Sequence, residues 1–138
     1  MARRYVDVNV FVYWLGGHPE YGERALEWVK RMETGASGSY VTASITVYET
    51  IVVLSRLTGA KLRDPSFIAT IMDAFTGLRG LRVVETLYSD YISARDLMER
   101  YGLDFEDAIH LAVAERVGAQ EIVSNDADFD KTPLRRVF

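Results

Sequence analysis

The sequence predicts an α/β domain, a three-layer sandwich with a mostly parallel central sheet of about five strands. Short apolar runs of strand length alternate along the chain with longer segments whose apolar residues recur at helical spacing. Strands that alternate with helices favour right-handed crossovers, which place helices on both faces of a parallel sheet. No linker, repeat or low-complexity tract interrupts the alternation, so we expect residues 1–138 to form a single domain.

The first part of the chain supplies two strands and three helices. An apolar run at 4–8 predicts the first strand, and 20–33 follows as an amphipathic helix that stops at a loop rich in glycine. A second run at 39–42 leads into a strongly apolar helix at 44–57. The next helix, at 65–78, begins on a proline that follows an aspartate. These last two helices are apolar over more than one stripe, so we expect them to form a homodimer face; the alternative is a monomer whose core absorbs them.

The second part adds three runs of strand character and two helices. Residues 81–86 predict the third strand. The helices at 89–101 and 105–117 are each followed by a glycine, a common helix terminator. Residues 120–123 predict a fourth strand, and 135–138 a possible last one.

The composition limits the classes of function. The chain has 138 residues, of which 49% are hydrophobic, enough for a full core. It has no cysteine, which excludes disulfides, thiol nucleophiles and thiolate metal sites and agrees with a reducing compartment. No apolar stretch has the length of a membrane span and the N-terminus lacks the apolar core of a signal peptide, so we expect a cytoplasmic protein without membrane contact. The net charge of -4 argues against binding nucleic acid by overall attraction, but it is compatible with a nuclease whose acidic site is neutralised by metal.

Four acidic residues stand where predicted strands end or helices begin: Asp7, Glu49, Asp107 and Asp126. In a parallel sheet covered by helices, strand ends and the first turns of helices meet at one edge. Carboxylates that meet there repel one another, and a divalent cation removes that conflict. Oxygen donors without imidazole or thiolate favour Mg²⁺ or Mn²⁺ over zinc. The sequence therefore predicts a metal site.

Each acid taken alone has a local alternative. Glu49 stands three residues after Thr46, which fits a capping box, and Asp107 is an acid favoured by a helix dipole. Asp126 follows an asparagine and fits turn chemistry. Asp7 has fewer alternatives, because an acid in an apolar run is costly to bury without a partner. The four together, in this order, favour the metal site.

The histidines and tryptophans predict little chemistry. His18 lies between a glycine and a proline and is expected to be exposed to solvent. His110 is expected to pack or lie at the surface, with the orientation of a carboxylate as the lesser alternative. Trp14 and Trp28 are expected to be core or interface anchors.

Four short motifs resemble those of the PIN-domain ribonucleases. They are Asp-Val-Asn at 7–9, Thr-Val-Tyr-Glu at 46–49, Asp-Phe-Glu-Asp-Ala at 104–108 and Ser-Asn-Asp-Ala-Asp-Phe at 124–129. The most similar subgroup is that of the VapC-type toxins of toxin-antitoxin pairs, and the resemblance covers the whole chain in order and spacing. It implies a PIN-like fold and an Mg²⁺- or Mn²⁺-dependent endoribonuclease, whose metal-binding and catalytic acids are Asp7, Glu49, Asp107 and Asp126.

The resemblance also implies supporting residues and partners. Asn9 and Ser124 match polar residues that support the acids. Asp128 matches a second acid of the last motif, while Asp104 and Glu106 add charge before the third; which of these reaches the metal is left open. The implied partners are an RNA substrate and a cognate antitoxin protein. The alternatives are a housekeeping PIN nuclease in RNA maturation or decay, and a non-catalytic scaffold that binds RNA or protein.

Overall fold

Five parallel strands form the central sheet of the protein. The structure is a computed structural model and describes residues 3–138. The strands are β1 (Arg4–Val6), β2 (Tyr40–Ala43), β3 (Leu81–Val84), β4 (Glu121–Val123) and β5 (Arg135–Val137). The helices within the described residues are α1 (Val8–Leu15), α2 (Gly22–Thr34), α3 (Ser44–Thr58), α4 (Pro65–Thr76), α5 (Tyr88–Tyr101) and α6 (Phe105–Arg116), with a 3₁₀ helix at Ala127–Lys131. The predicted fold class is confirmed.

The strand order is β3-β2-β1-β4-β5, and every pair is parallel. In register, Tyr5 of the central strand lies opposite Val41 on one side and Ile122 on the other. The chain builds outward from β1 to β3, then returns to the other side of β1 for β4. The order thus reverses between β1 and β4, and open α/β sheets bind their ligands in the crevice beyond the strand ends at such a point.

The core has one cluster on each face of the sheet. Because side chains alternate along a strand, Tyr5 and Val6 point to opposite faces. Tyr5 packs in the cluster that contains Leu111 of α6, and Val6 packs in the cluster that contains Phe11 of α1. Trp14 and Trp28 are partly buried against this second cluster, in agreement with their expected role as anchors.

The first strand is shorter than predicted, because it gives way to α1 at Val8. Asp7 begins this helix: its side chain accepts a hydrogen bond from the backbone N–H of Val8. The sequence favours a strand here, because Val8, Val10 and Val12 are β-branched. Packing against α2 and α3 overrides that preference. Neither α1 nor the 3₁₀ helix after β4 was predicted.

Helix α4 begins as the sequence predicts. Its Asp64 side chain accepts a hydrogen bond from the N–H of Ser66, and Pro65 occupies the first turn. No helix among residues 3–138 combines the length and the apolar character needed to cross a membrane.

Candidate metal centre

The four predicted acids occupy four different elements around the crevice between β1 and β4. Asp7 follows β1 and caps α1, and Asp126 follows β4 and caps the 3₁₀ helix. Glu49 lies in α3, and Asp107 is the third residue of α6. The fold places Asp107 and Asp126 in one acidic group and Glu49 in a second. Asp7 lies outside both groups, but its negative charge helps to raise the pKa of Asp107.

Asp7 is held in place by three donors. Its Oδ1 accepts from Val8 N at 2.8 Å, and its Oδ2 accepts from Ser124 Oγ at 2.7 Å and from Asn9 Nδ2 at 3.3 Å. Its side chain is buried, at 5% exposure. Burial raises the pKa of Asp7, while His110 and the hydrogen bond from Ser124 act in the opposite direction. The side chain is therefore anchored more firmly than a turn or cap requires.

Ser124 links the acids that follow β1 and β4. Its Oγ donates to Asp7 and accepts from the backbone N–H of Asp126 at 3.0 Å. The Nδ2 of Asn9 also lies 3.3 Å from this Oγ, and the Oδ1 of Asn9 accepts from Asn125 N at 3.4 Å. Both predicted supporting residues therefore contact the predicted acids or their neighbours. They fix the distance between the two strand ends.

Replacing Ser124 with alanine should lower the free energy of unfolding by about 1–3 kcal/mol, because a fully buried hydroxyl is lost and its partners keep unmet hydrogen bonds. Urea unfolding in EDTA measures the change. Ser93→Ala, on the exposed side of α5, is the matched control and should leave the value unchanged. Equal stability of the two variants would contradict the linking role.

The first acidic group consists of Asp107, Asp126 and Asp128. One carboxylate oxygen from each lies within 4.8 Å of the others. The pKa of Asp107 is raised to about 7, first by burial and then by the negative charges of Asp104, Asp126 and Asp7. Asp126 also accepts from the N–H of Asp128 at 2.9 Å, which fixes the turn between them. Oxygen donors in mutual repulsion fit a hard divalent cation such as Mg²⁺ or Mn²⁺.

The second group consists of Glu49, Glu106 and His110, again with one ligand atom from each within 4.8 Å. Oε1 of Glu49 lies 2.7 Å from Nε2 of His110. Burial opposes the charge of Glu49, but its hydrogen bonds to His110 and Glu106 lower its pKa. The pKa of Glu106 rises to about 8, chiefly because its carboxyl shares a hydrogen bond with Glu49. The charged form is therefore favoured for Glu49 and disfavoured for Glu106.

Two local alternatives for single residues are wrong. Glu49 does not form a capping box with Thr46: its carboxylate meets His110, while the Thr46 hydroxyl meets Thr42 Oγ1 at 2.7 Å. For His110 the expected packing is confirmed and the surface position is wrong, because its exposure is 1%. It contacts a carboxylate, which was the lesser alternative. The reason is tertiary: its partner is 61 residues away in sequence.

His18 is not solvent-exposed as predicted. It is half-buried, and its Nδ1 accepts hydrogen bonds from the N–H groups of Glu20 and Tyr21 at 3.1 and 3.0 Å. Its ring also stacks on that of Tyr21, with centroids 5.0 Å apart. It shapes the turn before α2.

The extra acids divide by position. Asp104 is the N-cap of α6, and its Oδ1 accepts from Asp107 N at 2.8 Å. Asp128 belongs to the first acidic group and Glu106 to the second. No sequence pattern singles out Tyr5, whose hydroxyl lies 2.6 Å from Nδ1 of His110. The one signal for His110 is its position one helical turn after Asp107.

The motifs, the sheet order and the acidic crevice agree with a comparison against known families. Residues 4–134 match the family model described as PIN domain. The chain belongs to the PIN domain family. The match covers four strands, β1 to β4, and ends just before β5, so it includes every predicted acid.

Solved structures share this PIN fold at low sequence identity. VapC20 of Mycobacterium tuberculosis, described as a toxin that cleaves the sarcin-ricin loop, has a TM-score of 0.73 and 18% identity, covering 96% of this chain and 98% of that one. A toxin-antitoxin complex from Klebsiella pneumoniae has a TM-score of 0.66 and 19% identity, covering 98% and 96%. VapBC2 from Rickettsia felis, bound to a DNA fragment of its promoter, has a TM-score of 0.63 and 19% identity, covering 97% and 96%. No curated protein sequence matches the chain.

Proposed function

We propose that residues 1–138 form one nuclease domain, a metal-dependent endoribonuclease that acts as the toxin of a type II toxin-antitoxin pair. The observation that carries the proposal is the meeting of two acidic groups at the β1–β4 crevice of a PIN fold. The similar solved structures, described as a toxin and as toxin-antitoxin assemblies, support the assignment to this class.

Asp7, Glu49, Asp107 and Asp126 would hold the Mg²⁺ or Mn²⁺ ion, with Asp128 adjoining. A divalent ion held by carboxylates supplies hydroxide near neutral pH and neutralises charge on the phosphate. Asn9 and Ser124 keep Asp7 oriented toward the crevice. Asp107 or Asp126, which lie in the same acidic group, would accept the proton from water.

The partners follow from the same crevice. An antitoxin that inserts a basic side chain among these carboxylates would neutralise them as a metal ion does. For the proposed homodimer, α3 and α4 offer Tyr48, Leu57 and Met72, which are 67%, 66% and 50% exposed. A toxin that cuts cellular RNA would work in the cytoplasm.

The test is cleavage of a pool of structured and single-stranded RNA by purified protein with Mg²⁺, with Mn²⁺ or with EDTA. Asp126→Asn is tested beside the unaltered protein, and Asp96→Asn, an exposed acid paired with Arg100, is the matched control. We expect metal-dependent cleavage by the unaltered and control proteins and loss of cleavage in Asp126→Asn.

The outcomes separate the alternatives. Cleavage that persists in EDTA or in Asp126→Asn would contradict the metal-dependent site. Binding of RNA without cleavage under either metal would favour the non-catalytic scaffold. Cleavage that is specific to a precursor RNA, in a protein whose expression is harmless, would favour the housekeeping nuclease.

A further inference from the structure

A buried chain of hydrogen bonds reaches the proposed metal site from inside the core. The hydroxyl of Tyr5 lies 2.6 Å from Nδ1 of His110, and Nε2 of the same ring lies 2.7 Å from Oε1 of Glu49. Tyr5 is 0% and His110 1% exposed, and their rings meet edge to face with centroids 5.7 Å apart. The three residues come from β1, α6 and α3, so the chain of bonds joins three elements.

The direction of the bond to Glu49 is fixed by chemistry. An ionised carboxylate only accepts, so Nε2 of His110 must carry a hydrogen and donate. Nδ1 can then accept from the Tyr5 hydroxyl when the ring is neutral, or donate to that oxygen when the ring is charged. The Tyr5 hydroxyl can donate a hydrogen bond to the neutral ring or accept one from the charged ring. Glu49 therefore receives the same hydrogen bond whichever state the ring is in.

The carboxylate of Glu49 is left with one oxygen available. Its Oε2 is buried and accepts no hydrogen bond from any N–H or hydroxyl group of the described residues. The neighbouring Glu106 carboxyl can donate a hydrogen bond to Glu49 only while it is protonated, so it is not a fixed donor. A buried acceptor left without a fixed donor is costly, and a fold that needed Glu49 only for stability would satisfy both oxygens.

We propose that His110, held by Tyr5, is a positioning residue that fixes the Glu49 carboxylate so that Oε2 is presented to the metal ion. This inference rests on the proposed metal-dependent function. Imidazole groups that orient carboxylate ligands, and the groups that hold them, set the affinity of a metal site without touching the metal. His110 does this from the core, while Ser124 and Asn9 do so for Asp7.

The test measures Mn²⁺ affinity by calorimetric titration of the folded protein, without reference to cleavage. His110→Leu removes the donor to Glu49 and should weaken Mn²⁺ binding by about 10- to 100-fold. His110→Gln keeps an N–H donor at the end of its side chain and should recover part of that loss. Tyr5→Phe removes the outer hydroxyl and should give a smaller loss than His110→Leu.

Two further proteins make the result specific. Leu97→Ala opens the core cluster that also contains Tyr5 but removes none of the hydrogen bonds among the three residues, so it should lower the melting temperature in EDTA without changing Mn²⁺ affinity. Asp126→Asn should lose Mn²⁺ binding, because it removes a proposed ligand.

Each outcome decides between the two proposals. Mn²⁺ affinity equal to that of the unaltered protein in Tyr5→Phe and His110→Gln, and in His110→Leu if it folds, would overturn the positioning role alone. The same loss of affinity in Leu97→Ala as in the His110 variants would also overturn it, because loosened packing would then explain the loss. Failure of the unaltered protein to bind Mn²⁺ would overturn the proposed metal site, and the positioning role with it.

Discussion

Replacement of Asp7 with asparagine should leave the protein folded and reduce RNA cleavage by more than about 100-fold, the upper range for residues that only orient metal ligands. The amide oxygen of asparagine can still cap α1, since the two residues are nearly equal at that position. The neutral amide also avoids burying a charge, so the free energy of unfolding in EDTA should change by no more than about 1 kcal/mol. The variant lacks the negative charge with which Asp7 would bind the cation.

Thermal melts with and without Mg²⁺, run beside RNA cleavage assays, check this expectation. The unaltered protein should melt at a higher temperature in Mg²⁺ than in EDTA, because an ion that binds only the folded state stabilises it. Asp7→Asn should lose most of that increase, while Asp96→Asn, which changes an exposed acid, should keep all of it. A full increase in Asp7→Asn would remove Asp7 from the set of ligands.

The metal-free protein should lose stability as the pH rises from about 5 to about 8. In the folded state the pKa of Asp107 is about 7 and that of Glu106 about 8, chiefly through burial and through the bond to Glu49, respectively. In the unfolded chain the same groups ionise near pH 4. Across this range the folded state therefore binds more protons than the unfolded state, and the free energy of unfolding falls with rising pH.

Melting temperatures in EDTA over this pH range measure the slope. Mg²⁺ should reduce it, because the ion takes the place of the protons, and Mg²⁺ affinity should rise with pH for the same reason. Asp107→Asn removes one of the titrating groups and should flatten the slope, while Asp96→Asn should not. A stability that rises with pH in EDTA would contradict the raised pKa values.

Sequence patterns located the acids but not the contacts that hold them. Asp7 and Asp126 could be found because each follows an apolar strand, and strand ends meet in a parallel sheet. The pairing of His110 with Tyr5 could not be found in this way, because the two residues are 105 positions apart and no local pattern distinguishes a buried histidine from an exposed one. The division of the acids into two groups depends on side-chain directions, which only the packed helices determine.

Helix α1 could not be predicted from its local sequence. Its alternating valines favour a strand, yet the segment directly follows Asp7, which can cap a helix as well as end a strand. The deciding contacts come from α2 and α3, which lie later in the chain. By contrast, the start of α4 was predictable, because Asp64 and Pro65 are adjacent and act locally.

The two outer strands of the sheet limit pairing of the sheet with that of a second copy. The outer strands β3 and β5 have four and three residues, and each has an exposed arginine, Arg82 or Arg135. Unpaired backbone groups on a border strand are a template for another chain, but a border this short and charged gives a second copy little to pair with. Concentrated solutions of the protein should therefore resist fibril-like aggregation through the sheet. The proposed antitoxin and homodimer contacts would use other surfaces, the acidic crevice and the apolar faces of α3 and α4.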